Sequence, residues 1–92
     1  MSMKPIDIQN AVLLALARTT GTRRSIGHAL RAGGVSCGYG DIDRALLTLE
    51  RDGLAFVWGE DQPTGDVSQP IYALTAAGRI EAKQLPGGAH HG

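Results

Sequence analysis

Residues 40–54 read Gly40-Asp41-Ile42-Asp43-Arg44-Ala45-Leu46-Leu47-Thr48-Leu49-Glu50-Arg51-Asp52-Gly53-Leu54, and the fold turns on this stretch. Ile42, Ala45, Leu46 and Leu49 recur at i, i+3, i+4 and i+7, which puts one apolar stripe on a helix. Asp41 and Asp43 fall in its first turn, where a carboxylate accepts from free N–H groups and meets the positive end of the helix dipole. Gly53 follows the last apolar position and suits a left-handed stop. The opposite face carries Asp43, Arg44, Leu47, Thr48 and Arg51, a set that a core does not need. The pattern predicts a helix over about residues 40–52 with one face buried and the other open to a partner.

Upstream, the spacing predicts two further helices. Met1 to Ile6 reads as a loose lead-in with Pro5 discouraging helix, and Asp7 as the cap of a first helix. Ile8, Val12, Ala15 and Leu16 form its stripe, and Leu13 and Leu14 widen it. So broad an apolar surface is buried on more than one side, under the domain or partly against a second copy. Arg18 suits its last turn and Gly21 ends it. Thr22 caps a second helix through Ala32, with Ile26, Ala29 and Leu30 inward. Gly27 inside it points to a close neighbouring helix, while Arg23, Arg24, His28 and Arg31 lie outward. Cations at a helix start oppose its dipole, so Arg23 and Arg24 have no obvious local stabilising role. They form a solvated face, a set of phosphate contacts, or a contact with an acidic region of another copy. Gly33 to Gly40 is a turn-forming connection in which Val35 is expected to bridge to a sheet. Tyr39 reads either as a staple onto the next helix or as a surface aromatic for binding.

Downstream, Leu54 to Trp58 and Ile71 to Leu74 have strand character, and the polar Gly59 to Pro70 joins them as a long β-hairpin loop. Thr75 caps a last helix from Ala76 to Leu85, with Ala77, Ile80 and Gln84 or Leu85 inward. Residues 1–85 thus form one domain, and residues 86–92 read as a disordered tail.

The composition narrows the function classes. Ninety-two residues with only four aromatics make a thin core that association would help. No apolar run approaches the ~18 residues needed to span a bilayer, so a soluble, cytoplasmic protein without membrane contact is expected. Cys37 is the only cysteine, which precludes an internal disulfide and a cysteine metal cage, and it reads as a half-buried turn residue. His90 and His91 lie in the tail without further ligands, so neither a metal nor any other cofactor is expected. The net charge is zero but segregated: residues 1–40 carry +4, residues 41–66 carry −5 and the remainder +1.

The order helix, helix, turn, helix, strand, loop, strand, helix is that of an α+β winged helix-turn-helix: a three-helix core, a two-stranded β wing and a short C-terminal helix. Within that class, "GDIDRALLTLERDGL" resembles the recognition-helix segment of PadR-like transcriptional regulators, in Gly40, Leu46, Leu49, Gly53 and Leu54. "IYALTAAGRIEAKQL" is similar to the family's second wing strand and following helix, through Tyr72, Leu74, Thr75, Gly78 and Arg79. MarR-like relatives share the second pattern. The resemblance covers roughly residues 8–85 and rests mostly on packing and capping positions. Three departures stand out: Asp41 and Asp43 begin the helix where the family commonly has Thr and Tyr, the wing is acidic through Glu60, Asp61 and Asp66, and no C-terminal dimerisation helix is expected after Leu85.

The resemblance implies a DNA-binding transcriptional regulator that acts as a homodimer on double-stranded DNA. Arg44 is placed to read a guanine edge, Thr48 a base or phosphate, and Arg51 shares their face. Arg23, Arg24 and Arg31 are the candidate backbone-phosphate contacts. The acidic wing opposes phosphate, so its tip is expected to stay away from the duplex. The alternative is a protein-interaction module or inhibitor whose acidic helix and wing meet a basic protein partner, with Leu47 and Trp58 as anchors or as peripheral core. An enzyme is the weakest reading, because no nucleophile–base pair, phosphate loop or catalytic carboxylate pair is visible.

Overall fold

Ile42, Ala45, Leu46 and Leu49 are all buried, and the rest of the chain is built around them. A computed structural model describes residues 4–62 and 68–85. The elements run α1 (Pro5–Arg18), β1 (Gly21–Thr22), α2 (Arg23–Ala32), α3 (Tyr39–Arg51), β2 (Ala55–Asp61), β3 (Gln69–Leu74) and α4 (Ala76–Gln84). This is the expected α+β winged helix, in which α1, α2 and α3 form the core, β2 and β3 the wing, and α4 closes the domain. Ile8, Val12, Leu13, Ala15 and Leu16 of α1 join Ile26, Leu30 and the α3 stripe in one cluster. Because α1 touches α2, α3, α4 and β3, its broad apolar surface is buried on several sides.

Four local expectations are corrected. Helix α1 starts at Pro5 rather than after Asp7, with Lys4 as its cap residue. Proline suits a first helical position, where its missing N–H has no helical partner and its φ is already helical. The C-terminal cap of α1 is Thr19, and Gly21 instead opens β1. The sheet therefore has three antiparallel strands in the order β1-β3-β2, with Gly21 opposite Tyr72 and Thr22 opposite Ile71. Val35 makes no sheet bridge. Its N–H donates to the Leu30 carbonyl at 2.8 Å and the Gly34 N–H to Arg31 at 3.0 Å, with Gly34 at φ +84°. That is a Schellman stop, and the half-buried Val35 lies over the core as its apolar residue.

The same stop ends α3. Leu54 N–H donates to Leu49 at 2.8 Å and Gly53 N–H to Glu50 at 3.1 Å, with Gly53 at φ +77° as its sequence position predicts. Two glycine-closed helices thus set the entry into the turn before α3 and the exit into the wing. Within α2, a Cβ on Gly27 would stand 3.0 Å from the Tyr39 ring and 3.5 Å from Ile42, so the close neighbour is α3. Ala29, expected inward, is exposed.

Helix α4 turns differently from its apolar spacing. Ala77 and Ile80 are exposed, Gln84 is exposed, and the inward residues are Gly78 and Ala82 with Leu85 half-buried. A Cβ at Gly78 would overlap the Leu54 carbonyl oxygen, and only glycine lets the helix start so close to that backbone. Thr75 fixes this approach: its hydroxyl donates to the Gly53 carbonyl at 2.7 Å and accepts from the Gly78 N–H at 3.0 Å, and its own N–H donates to Leu54 at 3.0 Å. The i, i+4, i+7 face of Gly78, Ala82 and Leu85 then faces the core.

The wing strands run further than expected, to Asp61 and from Gln69, so the connection is shorter. Trp58 is the extra residue of a β-bulge, because Val57 pairs with Tyr72 and Gly59 with Ile71. Pro70 is tolerated within β3 because β1 pairs only as far as Ile71, leaving β3 a single neighbour there. Thr64 and Asp66 of the wing, the lead-in Met1 to Met3, and the tail with His90 and His91 lie outside the described residues.

Candidate functional site

The outer face of α3 is open and its composition is mixed. Arg44 and Arg51 have 80% and 76% of their side chains exposed, and Leu47 between them is 62% exposed. Thr48 is half-buried, with its hydroxyl donating back to the Arg44 carbonyl at 3.0 Å. Its oxygen lone pairs remain available, but its proton is committed. Thirteen residues at about 1.5 Å each give α3 a length of about 20 Å. Arg44, Thr48 and Arg51 thus stand on one solvent-facing side of a helix flanked by a β wing.

Each arginine at this face has a carboxylate beside it. Arg44 lies 3.5 Å from Asp41, one turn earlier, and Arg51 lies 3.6 Å from Asp52. Asp41 also accepts the Gly38 N–H at 3.2 Å, so it caps the helix as its first-turn position predicts. Arg23 crosses from α2 to α3 and donates to Asp43 at 2.9 Å. Its guanidinium carbon stands 5.1 Å from the centre of the Tyr39 ring. Arg23 therefore does have a local role, tying the first turn of α2 to α3 through Asp43, and Tyr39 serves as the platform under it. Because α3 starts at Tyr39, Asp43 lies one turn into the helix rather than in its first turn as expected. Both partners of the pair remain 46% exposed, so the pair contributes at most about 1 kcal/mol.

Arg24 and Arg31 are exposed on α2 and form no ion pair among the described residues. Their spacing of seven puts them on one helix face. Arg31 also lies close enough to Cys37 to oppose the effects that raise its thiol pKa, namely burial first and the Asp41 charge second. Cys37 is thus a protonated, half-buried turn residue at neutral pH. Where the wing meets the helices, Arg23, Asp43, Ser68, Gln69, Pro70 and Tyr72 enclose a cleft of about 270 Å³. Burial, then Glu50 and Asp43, push the Tyr72 hydroxyl up, so it stays a neutral donor there. The wing itself is braced by Ser68, which donates to Glu60 at 2.6 Å, and Asp61 is exposed beside it. Leu47 and Trp58 are surface residues rather than peripheral core, with Trp58 66% exposed. No helix among the described residues is long and apolar enough to cross a membrane.

Sequence spacing found the α3 face and missed the pairing across it. Arg23 and Asp43 are twenty positions apart, and no periodicity links residues on different helices.

A three-helix core whose third helix leads into a β wing defines the winged helix-turn-helix class. The chain is similar in structure to a PadR-like transcription factor from Bacteroides fragilis (TM-score 0.74, 18% identity, covering 84% of this chain and 74% of that one). It is also similar to Bacillus subtilis PadR, solved in complex with operator DNA (TM-score 0.68, 18% identity, 79% and 42% covered). A third likeness is to a doubly substituted Lactococcus lactis ZitR (TM-score 0.64, 25% identity, 92% and 51% covered). These likenesses show the winged-helix fold of PadR-like transcription factors, and the chain spans about half or less of the last two proteins. No protein-family model and no curated protein sequence matches the chain.

Proposed function

We propose that this chain is a PadR-like, DNA-binding transcriptional regulator that reads duplex DNA with the outer face of α3. The observation that carries the reading is the shared exposure of Arg44 and Arg51 with Thr48 on one side of α3, in a fold also seen in a PadR solved with operator DNA. A helix of this length fits the major groove, where an arginine fork matches a guanine edge. Arg44 and Arg51 are the base-reading candidates and Thr48 an acceptor for a base or water donor. Arg24 and Arg31 contact phosphates, and Arg23 does so by exchanging Asp43 for a phosphate oxygen. The wing tip, flanked by Glu60 and Asp61, stays off the backbone, and a homodimer doubles the contacts in the cytoplasm where such regulators act.

The test is fluorescence anisotropy with labelled random duplex at low and near-physiological salt. Three phosphate contacts per protomer give log K a slope of about −2.7 against log salt. An absence of association even in low salt would remove the reading.

A second reading is favoured by the carboxylate beside each of Arg23, Arg44 and Arg51, and by exposed Leu47 and Trp58. Under it the chain is a protein-interaction module whose acidic α3 and wing meet a basic protein partner, with the two apolar side chains as anchors. Light scattering on the same samples tests it. A strict monomer that ignores basic partners would count against it.

A further inference from the structure

We propose that a cationic cleft at the far end of β3 from the wing loop is a binding site for a small phosphate-bearing anion. The last turn of α1, the residues entering β1, the end of β3 and one face of α4 enclose about 380 Å³. That lies in the range of small-molecule sites. Arg18, Arg79 and Lys83 line it together with Thr19 and Thr20, and among the described residues no carboxylate does. None of the three cations has an ion pair among the described residues. Glu81, the one acidic residue of α4, is two positions from both Arg79 and Lys83 and lies off their face.

Helix electrostatics account for part of this arrangement and leave the rest. Arg18 and Lys83 sit in the last turns of α1 and α4, where a cation complements the carbonyl end of the dipole. Arg79 sits in the first turn of α4, where it opposes the dipole. Its placement brings a third charge of the same sign to one concavity, and like charges so gathered raise the local concentration of anions. Two guanidinium forks match phosphate oxygens, and the Lys83 ammonium adds a point charge. Thr19 already donates to the Thr20 carbonyl at 3.2 Å, whereas the Thr20 hydroxyl makes no hydrogen bond among the described residues and is free to donate. Leu74 and Ala82 supply an apolar floor. Three cations suit a di- or trivalent anion better than a monocarboxylate, which makes a phosphate ester or pyrophosphate group the matching chemistry.

The same phosphate oxygens occur on a DNA backbone. Ala73 at the cleft is about 13 Å along β3 from Gln69, where the strand leaves the wing loop. No α3 residue lines the cleft, so it is separate from the α3 face as well as from the wing loop, and the ligand is a free small anion. Calorimetric titration of the full chain with pyrophosphate in low-salt buffer tests this. Saturable binding is expected, weakened at least about tenfold in Arg79→Gln/Lys83→Gln and left within about twofold in Arg44→Ala/Arg51→Ala. Arg18→Gln gives a second reading on a different helix, and circular dichroism melting verifies that each variant is folded. Absence of saturable pyrophosphate binding by the folded wild type overturns the proposal, as does equal binding by the folded Arg79→Gln/Lys83→Gln variant. A parallel duplex titration separates the sources. Duplex affinity unaffected by pyrophosphate and by the Arg79→Gln/Lys83→Gln change supports a free anion; a matched loss in both overturns it in favour of the DNA backbone.

Discussion

The two faces of α3 are written in the same thirteen residues and obey different rules. On the inner face Ile42, Ala45, Leu46 and Leu49 are buried where α3 meets α1, α2 and β2, in a close-packed core that constrains shape. On the outer face Arg44, Leu47 and Arg51 are exposed and the carboxylates beside the arginines sit at 3.5 Å and 3.6 Å, loose enough to exchange for another partner. The difference teaches that stability resides on one side of this helix, leaving the other side free for the selectivity proposed for it. Substitutions should therefore sort cleanly by side.

The most severe test is on the inner side. Leu49→Ala leaves a cavity at a fully buried position and is expected to lower unfolding free energy by about 2–5 kcal/mol in urea titration. Leu47→Ala, two residues away and exposed, should change it by less than about 0.5 kcal/mol. Comparable losses at both positions would erase the distinction between the faces. Gly78→Ala extends the inner side to the helix that covers the α3 exit. Its new methyl group would overlap the Leu54 carbonyl, which is backbone and cannot swing aside, and a loss of about 3 kcal/mol is expected. If its urea midpoint matches that of the wild type, α4 is not held where Thr75 and Leu54 put it.

How legible each side was follows from the same contrast. A 3.6-residue period reports burial directly, so the α3 stripe, the Thr22 and Thr75 caps and the Gly53 stop could be read from single residues in a row. Pro5 was misread because the residue that stops a helix in its middle also starts one. The α4 face was misread because a backbone contact at Gly78, not apolar spacing, sets its rotation. Strand β1 was missed because two residues carry no alternation. At the candidate site the outward set on α3 was legible as what the core left over. Arg23 with Asp43, and Arg23 over Tyr39, were not, because charge pairs between helices depend on tertiary geometry that no local pattern encodes.

On the outer side, Arg44→Ala and Arg51→Ala should leave stability within about 0.5 kcal/mol and weaken duplex binding by about 1–3 kcal/mol each if they read bases. An anisotropy titration against a selected operator reports that. A loss equal on every sequence would reassign both arginines to phosphate contacts.

The smallest expected effect is the most discriminating one. Asp43→Asn removes the carboxylate that holds Arg23 at 2.9 Å but keeps the shape of the side chain. The half-exposed pair is worth about 0.2–1 kcal/mol, so the melting midpoint should fall slightly. Duplex binding should move the other way, because Arg23 is then free for a phosphate and one repelling charge has left the face. A stability loss with a binding gain at an unchanged salt slope is the signature of an arginine shared between the fold and the duplex, since Arg23 already counts among the three phosphate contacts. A stability loss with weaker binding would mean that Arg23 helps only by fixing α2 on α3, and that this edge of the outer face belongs with the inner one.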